Sequence, residues 1–84
     1  MMQLDIRYFA WLRERTGTAS ETVVTEAATV ADLVAELSRR DEGYALAFSD
    51  IAGIRAAIDK TLVEMDAPLA GAREVAFFPP MTGG

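Results

Sequence analysis

Met2, Leu4, Ile6 and Tyr8 alternate with Gln3, Asp5 and Arg7. This period of two predicts a half-buried strand. Phe9 to Thr16 then predicts a short helix, with Gly17 placed to stop it and Arg13 and Arg15 suited to the negative end of its dipole. Ser20 to Thr25, with Val23 and Val24, predicts a second strand. The compact link between the two strands favours antiparallel hairpin pairing.

The strongest helical pattern follows. Val30, Leu33, Val34 and Leu37 fall on one face, while Asp32, Glu36 and Arg40 point elsewhere. Thr29 is placed as an N-cap with Asp32 three residues later, close to a capping box. Glu36 and Arg40 have the spacing of a favourable ion pair. Arg39 and Arg40 are expected to close the last turn, with Gly43 as a stop. Between Gly43 and Gly53 two readings stand: Tyr44, Leu46 and Phe48 alternating in an extended segment, or Tyr44, Ala47 and Phe48 lining a short helix. Ile54 to Ile58 predicts a third strand with Ile54, Ala56 and Ile58 on one face. Leu62 to Met65 predicts a short strand ended by Asp66-Ala67-Pro68. Glu74 to Phe78 is the last strand, entered through a turn at Gly71 and ended by Pro79-Pro80, which have no N–H for a ladder.

One amphipathic helix must lie across one face of a sheet to bury its stripe. The order of hairpin, long helix and later strands therefore predicts an α+β fold of the β-grasp (ubiquitin-like) kind, with a mixed sheet and one main helix on one face. A ferredoxin-like fold would need a second long helix between the later strands, and Ala57 to Glu74 offers none. One domain over residues 1–84 is expected, with 79–84 as a C-terminal tail.

Composition narrows the chemistry. The 84 residues include no His and no Cys. A Ser-His-Asp triad, a thiolate nucleophile and an ordinary zinc site are thereby excluded. Asp41-Glu42 is the only adjacent acidic pair, and nothing reads as a calcium loop, so no metal site is expected. The net charge of −5 disfavours nucleic acid and favours a partner with a basic surface. No signal peptide or membrane-length apolar run is seen, which makes the cytoplasm the expected compartment. Catalysis by this chain alone is not expected.

The distinctive segment is Phe77-Phe78-Pro79-Pro80-Met81-Thr82-Gly83-Gly84. Glycines lose the most backbone entropy on ordering and bury no side chain, so Gly83-Gly84 adds nothing to a fold. It suits entry into a narrow cleft, with the carboxyl of Gly84 as the reacting group. Pro79-Pro80 holds the base of the tail extended, and the six residues after Phe78 reach roughly 20 Å from the body. A frayed terminus alone does not account for the diproline. Phe77 and Phe78 face opposite sides of their strand. One joins the core with Val75; Phe78, with Ala76, lies on the far face and is the leading candidate for partner contact. Phe9 and Trp11 either extend that patch or pack along the helix edge. Arg73 is a candidate to pair with an acidic partner group. Lys60 is the only lysine.

The run Glu74-Val75-Ala76-Phe77-Phe78-Pro79-Pro80-Met81-Thr82-Gly83-Gly84 resembles the end of molybdopterin synthase small subunits (MoaD-type proteins). Ile6 to Gly17 resembles that family's opening strand and helix, and Thr29-Val30-Ala31-Asp32-Leu33 its helix start. The resemblance implies a sulfur carrier with the following chemistry. An activating enzyme adenylates the terminal glycine with ATP, and a sulfur donor protein then supplies the sulfur of a C-terminal thiocarboxylate. The tail enters the large synthase subunit and gives its sulfur to cyclic pyranopterin monophosphate. Gly84 would carry the sulfur, and Gly83 would pass the narrow channel behind it. The family's synthase is a heterotetramer, and no cofactor is implied on the small subunit itself. Two departures stand out: Gly71-Ala72-Arg73 where the family usually has Asp-Gly-Asp, and Ile58-Asp59 where Val-Asn is common. Other readings are a sulfur carrier for thiamine or another product, a ubiquitin-like modifier joined to target lysines, and a binding module without covalent chemistry.

Overall fold

The computed structural model describes residues 2–49 and 53–80. The elements run β1 (Met2–Tyr8), α1 (Trp11–Thr16), β2 (Ser20–Thr25), α2 (Val30–Ser38), α3 (Glu42–Ala47), β3 (Arg55–Ile58), β4 (Thr61–Val63) and β5 (Glu74–Phe78). The strands form one sheet in the order β2-β1-β5-β3-β4. β1 and β5 are parallel and every other pairing is antiparallel. The mixed β-grasp sheet expected from the element order is present.

Alternation places Leu4, Ile6 and Tyr8 of β1 and Val75 and Phe77 of β5 on one face, all within 1% of complete burial. α2 covers that face with Val30, Leu33, Val34 and Leu37. Burying each such side chain contributes about 1.5–3 kcal/mol. Thr29 caps α2 as the sequence predicts, its hydroxyl accepting the Asp32 N–H at 3.2 Å. The next two donors also find partners: Val30 N–H donates to the Ala67 carbonyl and Ala31 N–H to the Met65 carbonyl, at 3.1 and 2.8 Å. This explains why β4 ends at Val63 and not at Met65. The residues beyond it turn away from the sheet to receive the start of α2.

Other boundaries move for identifiable reasons. α1 begins at Trp11, not Phe9, because Phe9 N–H continues the ladder to the Phe77 carbonyl at 3.1 Å. Ala10 then turns the chain at φ 54°. Gly17 stops α1 as expected, with φ 82° and its N–H on the Arg13 carbonyl. Between Gly43 and Gly53 the helical reading holds. Asp41 caps α3 by accepting the Tyr44 N–H at 3.0 Å, so that acidic pair serves a helix start. Gly43 does not stop α2; it lies inside α3, where a Cβ would sit 2.5 Å from the Arg15 carbonyl oxygen. Its role is to let α3 approach α1. α2 itself ends at Ser38, with Arg39 as C-cap and Arg40 beyond it.

Candidate functional site

Two adjacent residues of β5 set the geometry. Phe77 is completely buried. Its ring lies 5.1 Å from Phe48 edge-on and 6.3 Å from Tyr8 in a stacked arrangement. The strand therefore enters the tail from a fixed base. Phe78 points to the opposite, open face and is half-buried, as are Pro79 and Pro80. Met81, Thr82, Gly83 and Gly84, which the sequence assigns to the reactive tail, lie outside the described residues.

Register lays out the open face in rows. Arg7 is opposite Ala76, Ala76 opposite Ala57, and Ala57 opposite Leu62. Phe78 is opposite Arg55. Two alanines thus form a low floor between Arg7 and Leu62, which is 65% exposed, with Phe78 two residues beyond Ala76 on the same face. Phe9, 46% exposed, stands at the same end of the neighbouring strand as Phe78. An uncovered apolar strip beside the base of the tail is suited to docking. Ala57 and Leu62 escape a reading that weighs only the ending; their alternation with Ala56 and Val63 is the signal that would have found them.

Charge on this face differs from the chain's net acidity. Arg55 lies beside Phe78 in the pairing. Arg7 is 2.8 Å from Glu74, an exposed pair of small energetic weight. Arg55 is thus the cation that the register sets directly beside Phe78. Arg73 lies apart, at the entry of β5, where Asp5, Asp59, Lys60, Arg73 and Glu74 line an open pocket. The length of a five-residue strand, roughly 17 Å, separates that end from Phe78. The structure gathers Phe78 and Phe9 and leaves Arg73 at the other end.

The two sequence departures meet at that other end. Asp59 is at φ 48° and Lys60 at φ 73° in the β3–β4 turn. The Asp59 carboxylate accepts the N–H groups of Arg73 and Glu74 at 3.0 and 2.9 Å. Gly71 supplies the preceding turn at φ 82°. Both bonds end on the same Asp59 oxygen, and the charge of the carboxylate strengthens them relative to a neutral acceptor.

A second polar cluster lies under the sheet. Glu21 accepts hydrogen bonds from the hydroxyls of Tyr8 and Tyr44 at 2.9 and 2.6 Å, and from the Arg40 guanidinium at 2.6 Å. The Glu36–Arg40 pair expected from spacing does not form, because Arg40 turns to Glu21 and lies over the Tyr44 ring. Glu36 instead accepts the Thr25 hydroxyl. Burial opposes ionisation of Glu21, but bonds from Tyr44, Arg40 and Tyr8 outweigh it and hold the carboxyl below its ordinary range. Burial and the same carboxylate push the Tyr44 phenol up to about 12 and raise Tyr8 further. The cluster ties β1, β2 and α3 together behind Phe77. Among the described residues no group of His, Cys, Asp or Glu is arranged to hold a metal ion. No helix among them is long and apolar enough to cross a membrane.

Comparison with known proteins agrees with the fold. The model of the ThiS family matches residues 6–84. The chain is 40% identical over 81 residues to the molybdopterin synthase sulfur carrier subunit of Escherichia coli (strain K12), spanning 96% of this chain and 99% of that one. It is 31% identical, with the same coverage, to the subunit of that name in Haemophilus influenzae. Among solved structures, SAMP1 from Haloferax volcanii superposes with a TM-score of 0.71 at 25% identity, covering 99% of this chain and all of that one.

Proposed function

The chain belongs to the ThiS family, and on that premise we propose that it is the sulfur-carrying small subunit of a molybdopterin synthase. The observation that carries this reading is the similarity to two sulfur carrier subunits along nearly their whole length. The uncovered strip at the base of the Gly-Gly tail adds a place for a partner to hold.

In this reading the body is a handle and the chemistry is done on Gly84. An adenylating enzyme joins the Gly84 carboxylate to the AMP portion of ATP, with pyrophosphate leaving. This converts a poor electrophile into a mixed anhydride. Sulfur at the sulfide level (HS−), supplied through a donor protein, attacks the acyl carbon, AMP departs with the electron pair of the broken acyl–phosphate bond, and loss of the proton leaves a thiocarboxylate. Glycine places no Cβ beside that carbon, and Gly83 can adopt backbone angles closed to other residues. The large synthase subunit receives the tail and supplies the groups that transfer sulfur to cyclic pyranopterin monophosphate, in the cytoplasm, as part of a heterotetramer. Phe78 and Phe9 dock the body. Pro79-Pro80 keeps the tail extended and lowers the entropy lost on insertion, while Met81 and Thr82 span the channel. Arg73 is assigned to a different contact, away from the strip.

Removal of Gly84 tests the assignment. Sulfur transfer with the large subunit is expected to vanish while the melting temperature stays within error. A large loss of thermal stability would contradict a tail that serves chemistry alone. A ladder of isopeptide conjugates in place of sulfur transfer would identify a protein modifier.

A further inference from the structure

The two edges of the sheet are built differently. β4 is three residues long and is bounded by Lys60 and Glu64. A short edge with charges at its ends resists pairing with other strands. β2 is six residues long and has no lysine, proline or outward charge. Its one charged side chain, Glu21, is turned under the sheet and held by Tyr8, Tyr44 and Arg40.

The free backbone groups of this edge can be identified. Tyr8 N–H donates to the Ala19 carbonyl at 2.9 Å, and the register pairs Ile6 with Glu21 and Leu4 with Val23. An antiparallel ladder alternates bonded and non-bonded pairs. Glu21, Val23 and Thr25 thus direct their backbone groups to β1, while Ser20, Thr22 and Val24 direct theirs outward. The Thr18 hydroxyl donates to the Ser20 carbonyl at 2.8 Å. Among the described residues no strand pairs with Thr22 or Val24 on that side, and Val24 is 61% exposed.

A groove of about 360 Å³ runs along this edge between β2 and α2, lined by Thr22, Val23, Val24, Glu36, Leu37 and Arg40. Val23, Val24 and Leu37 supply its apolar lining, and its charges stand at opposite ends. Glu36 lies at the level of Thr25, whose hydroxyl it accepts, and Arg40 at the level of Glu21.

We propose that the β2 edge pairs with the same edge of a second copy, antiparallel about a two-fold axis at Val23. Thr22 then faces Val24 of the second copy, and each such pair exchanges its N–H and C=O groups. The two Val23 side chains meet over the Leu37 side of the groove. Thr25 of the second copy falls opposite Glu21, which carries Glu36 of the second copy toward Arg40. Antiparallel self-pairing is therefore the arrangement that sets each acid against a base. A surface complementary to itself is the requirement of an isologous dimer. β5 and the base of the tail lie two strands from the joined edge, so both tails stay accessible.

Sedimentation of the full chain over a concentration series tests this. A reversible monomer–dimer equilibrium is expected, and Val24→Lys should raise its dissociation constant at least tenfold. Leu62→Lys, equally exposed near the opposite edge, should leave it unchanged. In the unaltered chain, hydrogen exchange at the Thr22 and Val24 amides should slow as concentration rises. A chain monomeric up to millimolar concentration would overturn the proposal. So would a dimer that resists Val24→Lys but yields to Leu62→Lys, or protection of those amides that appears only when a different protein is added.

Discussion

Phe77 and Phe78 are neighbours in sequence and belong to opposite faces of one sheet. The face under Phe77 is filled by three helices and by Tyr8 and Phe48, and among the described residues it leaves no buried side-chain polar atom without a partner. The face above Phe78 is a low alanine floor with exposed Leu62 and Phe9 at its margins. One face makes the fold and the other remains available. The same strand thus carries a fully buried ring and, one residue on, the half-buried ring proposed for docking.

The sharpest way to break this contrast is to truncate each phenylalanine in turn. Phe77→Ala removes a fully buried ring and is expected to cost about 3–5 kcal/mol of unfolding free energy. Phe78→Ala should change stability by less than about 1 kcal/mol. Equal losses in urea titrations of the two variants would erase the distinction between the faces.

Gly43→Ala comes next. Its Cβ would sit 2.5 Å from backbone and not from a yielding side chain. A loss of about 1–3 kcal/mol is expected as α1 and α3 are forced apart, read from the thermal midpoint. An unchanged midpoint would show that the helices are free to separate.

Glu21→Gln probes the polar half of the filled face, with an expected cost of about 1–3 kcal/mol at neutral pH. Its pH dependence has a definite sign. The folded-state pKa of Glu21 is below the ordinary 4.5, so the carboxylate's contribution is complete above that value. It disappears as pH falls through the lower folded-state value. The stability gap between the parent chain and Glu21→Gln should therefore narrow in acid. A gap that widened would reverse the assigned direction.

The smallest effect on folding and the most telling for function is binding. Phe78→Ala should weaken association with the large subunit about tenfold, near 1.4 kcal/mol. Leu62→Ala should do the same to a lesser degree. Titration calorimetry of both variants reads this directly, and unchanged affinity in both would remove the open face from the docking surface.

Much of this was legible in the chain because local and tertiary preferences agree. The stripe of Val30, Leu33, Val34 and Leu37, the Thr29 cap and the alternation of β1 each predict the environment found. The errors arose where a residue answers to something distant in sequence. Arg40 has Glu36 at helical spacing but turns to Glu21, nineteen residues away. Gly43 resembles a helix stop, but α1 packing against it sets its role. The strand expected over Leu62 to Met65 loses its second half to the start of α2. In the candidate site, the opposite facing of Phe77 and Phe78 follows from strand geometry alone. The row through Ala76, Ala57 and Leu62 needed the register of three strands.

The central claim is that Gly84 carries the chemistry while the body docks. Intact mass spectrometry tests it most directly, after incubation with ATP, an adenylating enzyme and a sulfur source. A sulfur carrier of this kind should give one product, heavier by the exchange of one oxygen for sulfur, and no such product once Gly84 is removed. An unchanged mass in the presence of demonstrably active partner enzymes would contradict it.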